Sequence, residues 1–163
     1  MLKRLSLLLI APLTLIFLFA EAPMAFGKSL VLASQFNGKL IDSSGAPQAG
    51  VKVSRTWNWA WGDESGSDEA TTAEDGSFSF PEVTGSSWSA GIVPHSPSIR
   101  QEVKAQGPSG DVLLYSVNKS TYDTDSENLL DERLKGPGVN LICRIDLEPS
   151  ADGPFWGTCQ PAE

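Results

Sequence analysis

Short runs of alternating apolar and polar residues, separated by turn-forming residues, characterise this chain from residue 35 onward. In residues 139–147 an apolar side chain recurs at nearly every second position, which predicts a strand with one buried face. The candidate strands are residues 35–42, 51–61, 77–81, 87–93, 99–105, 111–118, 139–147 and 155–159. Residues 126–134 form the only plausible helix, with Ser126 as a possible N-cap. Many short strands with turns between them predict an all-β sandwich or barrel.

Two turn-rich elements add detail to this pattern. In residues 38–53, two short runs flank a loop that contains Gly45, Pro47 and Gly50, and this arrangement predicts a β-hairpin. In residues 71–83, a tight Asp75-Gly76 turn precedes an alternating strand.

Together the two elements resemble the carboxypeptidase regulatory-like domain, a small transthyretin-like (prealbumin-like) β-sandwich. The resemblance covers residues 36 to about 83 and implies a single antiparallel sandwich of about seven strands. Such domains mostly support or bind rather than catalyse, so the resemblance implies a fold more than an activity. Residues 55–61 also resemble an uncharacterised family of bacterial exported single-domain proteins, which implies no activity. The residues that carry the first resemblance are Gly38, Asp42, Gly45, Pro47, Gly50, Val51, Val53, Thr72, Asp75, Gly76 and Phe78.

The first 27 residues have the pattern of a cleavable export signal. Lys3 and Arg4 precede an uncharged run over residues 5–20, and Ala25-Phe26-Gly27 offers small residues where a signal peptidase cuts. A retained membrane anchor is the alternative, but the run is shorter than a spanning helix needs and Pro12 interrupts it. We therefore expect cleavage, with no stable membrane insertion afterwards. The sequence therefore predicts a periplasmic or secreted protein with one domain at residues 28–163.

Net charge narrows the range of partners. The whole chain carries a formal charge of −8, and the segment 1–27 contains two basic residues and one acidic residue, so its removal leaves −9. An acidic surface disfavours nucleic acid and anionic lipid and suits a cationic partner. Solvation alone explains such a charge equally well.

Cys143 and Cys159 are the only cysteines in the chain. The residues between them are rich in turn formers, and a hairpin centred on Ala151 would place the two cysteines opposite each other. An oxidising compartment favours a disulfide, whereas a redox pair normally has Cys-x-x-Cys spacing. We therefore expect a structural disulfide.

A single histidine limits the possible catalytic chemistry. His95 lies in a predicted exposed loop, whereas a zinc hydrolase needs two or three histidines or an equivalent cluster. The chain has no Gly-x-Ser-x-Gly motif for a serine nucleophile. A catalytic carboxylate pair stays open, although the 20 acidic residues do not single one out. The sequence thus predicts a protein that is not an enzyme and needs no metal or cofactor.

The strongest candidate for a binding site is the run Trp57-Asn58-Trp59-Ala60-Trp61. In a strand the three indoles would share one face, either as part of the core or as an exposed aromatic platform. Residues 62–75 follow as a predicted acidic loop, whose oxygens suit weak calcium binding or simply solvation. The candidate binding residues are Arg55, Trp57, Trp59, Trp61, Asp63 and Glu64.

Three classes of function remain open on these grounds. The first is a non-catalytic exported domain that binds another protein, for example an immunity or inhibitor protein of the periplasm. The second is a carbohydrate-binding module in which Trp57, Trp59 and Trp61 stack on sugar rings. The third is an enzyme of unrecognised type. The lack of catalytic groups and the aromatic run beside carboxylates favour the first class.

Overall fold

The computed structural model describes residues 29–123, 138–151 and 155–162. The described residues form strands and turns without a helix, and so none of them belongs to a helix that could cross a membrane. The predicted signal at residues 1–27 and the predicted helix at residues 126–134 lie outside the described residues.

In the described residues, eleven strands form three sheets. The sheet orders are β10-β8-β7-β3-β4, β11-β9-β2-β5 and β1-β6. All pairings are antiparallel except that of β2 with β9. The strands are β1 (Ser29–Ala33), β2 (Phe36–Ile41), β3 (Lys52–Trp59), β4 (Glu64–Thr71), β5 (Ser77–Phe80), β6 (Val83–Ser86), β7 (Ile99–Gly107), β8 (Gly110–Lys119), β9 (Val139–Arg144), β10 (Trp156–Gly157) and β11 (Cys159–Pro161).

The five-stranded and four-stranded sheets pack face to face around one main core. Phe36 of β2 illustrates the contact between them, because its ring centroid lies 5.4 Å from that of Tyr115 on β8. This arrangement confirms the predicted all-β sandwich, and its strands are shorter and more numerous than the seven or so expected. The buried residues of the main core are Phe36, Leu40, Val53, Phe78, Phe80, Val103, Ala105, Leu114, Tyr115, Val117, Val139, Leu141, Cys143, Phe155 and Cys159.

A second, smaller hydrophobic cluster lies at one end of the sandwich. β1 and β6 lead into and out of the four-stranded sheet and cover the ends of β3 and β7. Four residues of this end cluster are buried, namely Leu30, Leu32, Trp59 and Ile99. Between the two clusters lies a polar layer in which Arg55 and Lys119 both reach Ser34, through its carbonyl at 3.2 Å and its hydroxyl at 3.4 Å respectively.

The predicted hairpin at residues 38–53 is wrong in its pairing. Its two strands belong to different sheets, so the loop between them crosses from one face of the sandwich to the other. Asp42 holds the loop, because its Oδ1 accepts bonds from the backbone N–H groups of Ser44 and Ala46. Thr72 fixes the far side by accepting from Val51 N–H and donating to the Gln48 carbonyl.

Two other local predictions are also wrong. The acidic segment 62–75 is mostly a strand, β4, since its pairing with all eight residues of β3 overrides a composition poor in strand formers. Residues 87–93 form turns rather than a strand, because the N–H groups of Ile92 and Val93 both bond to the Ser89 carbonyl. The Asp75-Gly76 turn and the alternating strand after it are confirmed, with Gly76 at a φ of +81°.

Cys143 and Cys159 lie at disulfide-bonding distance, directly opposite each other on β9 and β11. The connection between them is not the simple hairpin that the sequence suggested. Before it reaches Cys159, the chain pairs with β8 of the other sheet through β10. The C-terminal segment therefore spans one side of the sandwich, and the cysteine pair joins its end to the four-stranded sheet.

Candidate functional site

The three indoles of the tryptophan run do not form one exposed row. Trp59 is 1% exposed and belongs to the end cluster. Trp57 is half-buried, and its ring lies over Gly66 of β4, where any larger residue would collide with it. Trp61 is 40% exposed because it lies beyond the end of β3 in the turn to β4. Of the three, Trp61 is therefore the one most available to a partner.

Arg55 is a structural residue rather than a surface one. Its side chain is fully buried, and Nε donates to Asp68 Oδ2 at 3.1 Å while Nη2 forms an ion pair with the same carboxylate. The guanidinium also donates to the carbonyls of Ser34 and Pro81, at 3.2 and 2.7 Å. These carbonyls lie where β1 meets β2 and where β5 meets β6. Arg55 thus donates hydrogen bonds to backbone carbonyls at both bends, and its role is to stabilise the fold.

A series of contacts between aromatic side chains connects Trp61 to the end cluster. Its ring stacks on that of His95, with centroids 3.9 Å apart and an interplanar angle of 18°. His95 Nε2 lies 2.7 Å from the Tyr122 hydroxyl, which accepts a bond from Trp59 Nε1 at 3.0 Å. His95 Nδ1 lies 2.8 Å from the carbonyl of Val93. The predicted loop histidine is therefore half-buried and holds two loops together.

Four large apolar side chains are exposed at this end of the sandwich. Trp88 and Ile92 are each 73% exposed, and Val93 is 44% exposed. Trp88, Ile92 and Val93 belong to the loop between β6 and β7. The fourth side chain is Trp61, whose Nε1 donates a hydrogen bond to Ser89 Oγ of that loop at 3.2 Å. We call Trp61, Trp88, Ile92 and Val93 the apolar cap. An open depression of about 400 Å³ lies beside it, lined by His95, Tyr122 and residues 90–93 among others.

Asp63 and Glu64 give the apolar cap a charged margin. Both side chains are exposed; Asp63 lies in the turn from β3 to β4, two residues after Trp61, and Glu64 is the first residue of β4. Asp63 adopts a φ of +49°, which turns the chain back along β3. Of the six candidate binding residues, Trp61, Asp63 and Glu64 therefore lie together at the surface, whereas Arg55 and Trp59 are buried.

The opposite end of the sandwich holds a larger cleft of about 730 Å³. Its lining includes Asp42, Val112, Asp146 and Leu147. Hydrogen bonds from Ser44 and Ala46 lower the pKa of Asp42, and those from Ser43 lower the pKa of Asp146. Both carboxylates therefore accept hydrogen bonds that stabilise the loops at this end of the sandwich. Across the described segments, no three His, Cys, Asp or Glu side chains are grouped as a metal site would require.

The sequence predictions missed most of the apolar cap. Trp88, Ile92 and Val93 were assigned to a strand, and the link from Trp59 to Tyr122 spans 63 residues of sequence. One local signal was available, since Trp88 lies between serines in a segment that also contains Gly91 and Pro94. Such a composition is typical of a loop, and a tryptophan on a loop is a candidate contact residue.

The fold and this surface define a class of protein, a small β-sandwich with an aromatic surface at one end. A protein-family model described as a domain of unknown function, DUF6795, matches residues 36–148. The chain belongs to this family, whose match extends from β2 to just beyond β9 and includes every residue of the apolar cap. Neither the curated proteins nor the solved structures contain a significant match to the chain.

Proposed function

We propose that this protein is a non-catalytic exported binding domain whose apolar cap contacts another protein. The observation that supports the proposal most directly is the grouping of exposed apolar side chains. In the described residues six large hydrophobic residues are exposed, and four of them form the cap. Contiguous exposed apolar surface is typical of interaction sites, and tryptophan is enriched among the residues that dominate binding energy.

The charge around the cap favours a cationic partner. Asp63 and Glu64 border Trp61, and the chain as a whole carries a formal charge of −8. An apolar centre with a charged rim is the usual organisation of a protein interface. Opposite charge on the partner would accelerate association most strongly at low salt.

The contacts of His95 support a binding role over a catalytic one. Both of its ring nitrogens lie within hydrogen-bond distance of groups that build the loop, the Val93 carbonyl and the Tyr122 hydroxyl. Its ring face is stacked on Trp61. Each contact orients the cap, and a general base would need a nitrogen that faces substrate.

A carbohydrate-binding role is the weaker alternative. The version that uses Trp57, Trp59 and Trp61 as one platform lacks its central ring at the surface, because Trp59 is buried. A sugar would have to stack on Trp61 or Trp88 instead. One face of Trp61 is already covered by His95, and this favours a protein contact made by the whole cap.

Two further elements of the proposal come from the sequence. We place the protein in the periplasm or outside the cell because of the signal-like segment 1–27, with an immunity or inhibitor protein as one concrete version. We also propose that the sandwich is of the carboxypeptidase regulatory-like type. Asp42 and Thr72, which carry that resemblance, hold the loop that crosses between the sheets. That role explains why such a sandwich would need them.

The experiment compares two exposed tryptophans that lie in different places. Trp88 is in the cap, and Trp156 is on β10 at the side of the sandwich. Wild-type protein, Trp88→Ala and Trp156→Ala are immobilised and used to capture partners from an extract of the exported compartment. We expect a protein that binds the wild type and Trp156→Ala and is lost with Trp88→Ala, while all three proteins unfold at the same temperature.

Equal capture by Trp88→Ala and the wild type would contradict a role for the cap. A captured protein that is displaced by free oligosaccharide would support the carbohydrate alternative instead. Salt dependence gives an independent check, because association with a cationic partner should slow as ionic strength rises.

A further inference from the structure

The edges of the two large sheets differ greatly in length. Two of the four edge strands, β10 and β11, have two and three residues, and β11 ends in Pro161. The third, β5, has four residues and is followed by Pro81. Short strands and proline are the usual protection of an edge. The fourth edge strand, β4, has eight residues and no proline.

The free edge of β4 can be assigned residue by residue. At the end of the β3–β4 ladder, Thr72 N–H donates to the Val51 carbonyl at 2.9 Å. Residues of an antiparallel strand alternate between those bonded to the neighbour and those whose N–H and C=O point away. Counting back from Thr72 in steps of two directs the even-numbered residues of β4 toward β3. The outward-pointing groups therefore belong to Ser65, Ser67, Glu69 and Thr71.

Those four outward positions are accessible to another chain. All four side chains are exposed, and three of them are small hydroxyl residues that leave room for a second backbone. In the described segments, β3 is the only strand that pairs with β4. The N–H and C=O groups along the edge are thus a template for one more strand.

The charge on β4 selects which strand can join it. The strand contains Glu64, Asp68 and Glu69 and no basic residue, and Asp63 precedes it. Two copies paired edge to edge would oppose like charges, which disfavours self-association. Binding of a basic strand would instead be stabilised both by the main-chain hydrogen bonds of the ladder and by attraction to these carboxylates. Asp68 is paired with Arg55 and Glu69 with Lys52, so their charges are partly neutralised. Asp63 and Glu64 would therefore attract a basic strand most strongly.

We propose that β4 binds an extended, basic segment of a partner protein as an added strand. The inference rests on the proposed function in one respect, that the partner is a protein. It identifies a contact that the apolar cap does not provide, main-chain pairing along an acidic edge. The edge starts at Glu64, three residues after Trp61 of the cap, so one partner can contact both.

The probe is a blocked nine-residue peptide of alternating lysine and threonine, titrated to millimolar concentration into isotope-labelled protein. We expect chemical-shift changes at the amides of Ser65, Ser67, Glu69 and Thr71, and slower hydrogen exchange of these amides when the peptide is bound. A peptide with glutamate in place of lysine should cause neither effect. A basic peptide with proline at its centre should bind at least tenfold more weakly, because it cannot complete the ladder.

A matched pair of variants tests the edge from the side of the protein. Ser67→Pro removes one outward N–H and keeps every bond to β3, and Gly66 before it tolerates the restriction that proline imposes. We expect Ser67→Pro to weaken peptide binding at least tenfold and Ser67→Ala to change it less than twofold. The peptide titration of the wild type needs no variant, so a misfolded Ser67→Pro would leave that test intact.

Several results would overturn the proposal. In the free protein, slow exchange of the four outward amides would mean that another segment of this chain, or a second copy, already covers the edge. Shift changes that map elsewhere, or equal binding of the glutamate peptide, would also refute it. If the Trp88-dependent partner is captured but the peptide does not bind, the proposal for the β4 edge is refuted and the proposal for the apolar cap is retained. If the peptide binds but no captured protein depends on Trp88, only the proposal for the apolar cap is refuted.

Discussion

The main core and the end cluster use the same two strands in different ways. Val53 of β3 and Val103 of β7 face the main core, where a second large sheet covers them. Further along, Trp59 and Ile99 face the end cluster, where the two-stranded sheet and loop residues such as Tyr122 cover them. One region is therefore closed by repetitive strand pairing and the other by a few large side chains from distant segments.

The difference explains where a binding surface can form. A face that is covered by another sheet has no room for a partner, and its strands follow the alternation that packing requires. At the other end, the loops are held by individual contacts such as the Trp61–His95 stack. Loops on a rigid scaffold can present exposed residues without exposing the core. The polar layer at Arg55 and Lys119 marks the boundary between the two regions.

Replacing Phe36 by alanine should have the largest effect and tests the main core. Its ring is fully buried and lies 5.4 Å from Tyr115 and 5.8 Å from Phe78, centroid to centroid, so alanine leaves a cavity between the sheets. We expect the free energy of unfolding, measured by urea denaturation, to fall by about 3–5 kcal/mol. Phe36→Leu should lose less. An equal loss for the exposed Trp88→Ala would contradict the contrast between core and cap.

Reduction of the Cys143–Cys159 pair should have the next largest effect. The cysteines are 16 residues apart in sequence, and closing a loop of that size contributes roughly 3 kcal/mol in the chain-entropy model. We expect thermal unfolding at lower temperature in reductant, with a reduced protein that is still folded because a domain of this size buries enough apolar surface without the bond. Two free thiols in denatured, unreduced protein from an oxidising compartment would contradict the pairing.

The strands of the main core were predictable because their own residues carry the pattern. Residues 77–81 and 99–105 alternate in sequence, and β5 and β7 alternate in burial in the same way. The strand β4 was not predictable from its sequence, Glu-Ser-Gly-Ser-Asp-Glu-Ala-Thr, which has little preference for a strand. It forms because β3 pairs with it along its length and Arg55 binds Asp68 across the pair.

The candidate site was predictable in its chemistry but only in part in its membership. An aromatic run beside carboxylates identified Trp61, Asp63 and Glu64, which the structure places together. The burial of Arg55 depends on two bends of the backbone, at Ser34 and Pro81, and no local pattern indicates them. The other residues of the cap come from a separate loop. Only tertiary contacts bring that loop to Trp61.

Replacing Trp59 by phenylalanine should affect the end cluster more than the main core. The change removes the bond from Nε1 to the Tyr122 hydroxyl, 3.0 Å long, and part of a fully buried ring. We expect a loss of about 1–3 kcal/mol in the free energy of unfolding. Hydrogen exchange should accelerate first at Ile92 and Val93, whose N–H groups bond within the cap loop. Equal acceleration in β2 and β9 would show that the two regions open as one unit.

The smallest expected effect is an acid-dependent loss of stability at the end opposite the cap. Hydrogen bonds from Ser44 and Ala46 lower the pKa of Asp42 in the folded protein. A carboxyl whose folded pKa lies below its unfolded value contributes stability above the unfolded value, near pH 4, and that contribution disappears as the pH falls through the folded value. Asp42→Asn can still accept these bonds but does not ionise, so its unfolding temperature should change less than that of the wild type between neutral pH and pH 3. Asp111→Asn, which removes a carboxylate of β8 outside this loop, is the matched control and should follow the wild type. If Asp42→Asn also followed the wild type, the loop that crosses between the sheets would not depend on the charged form of Asp42.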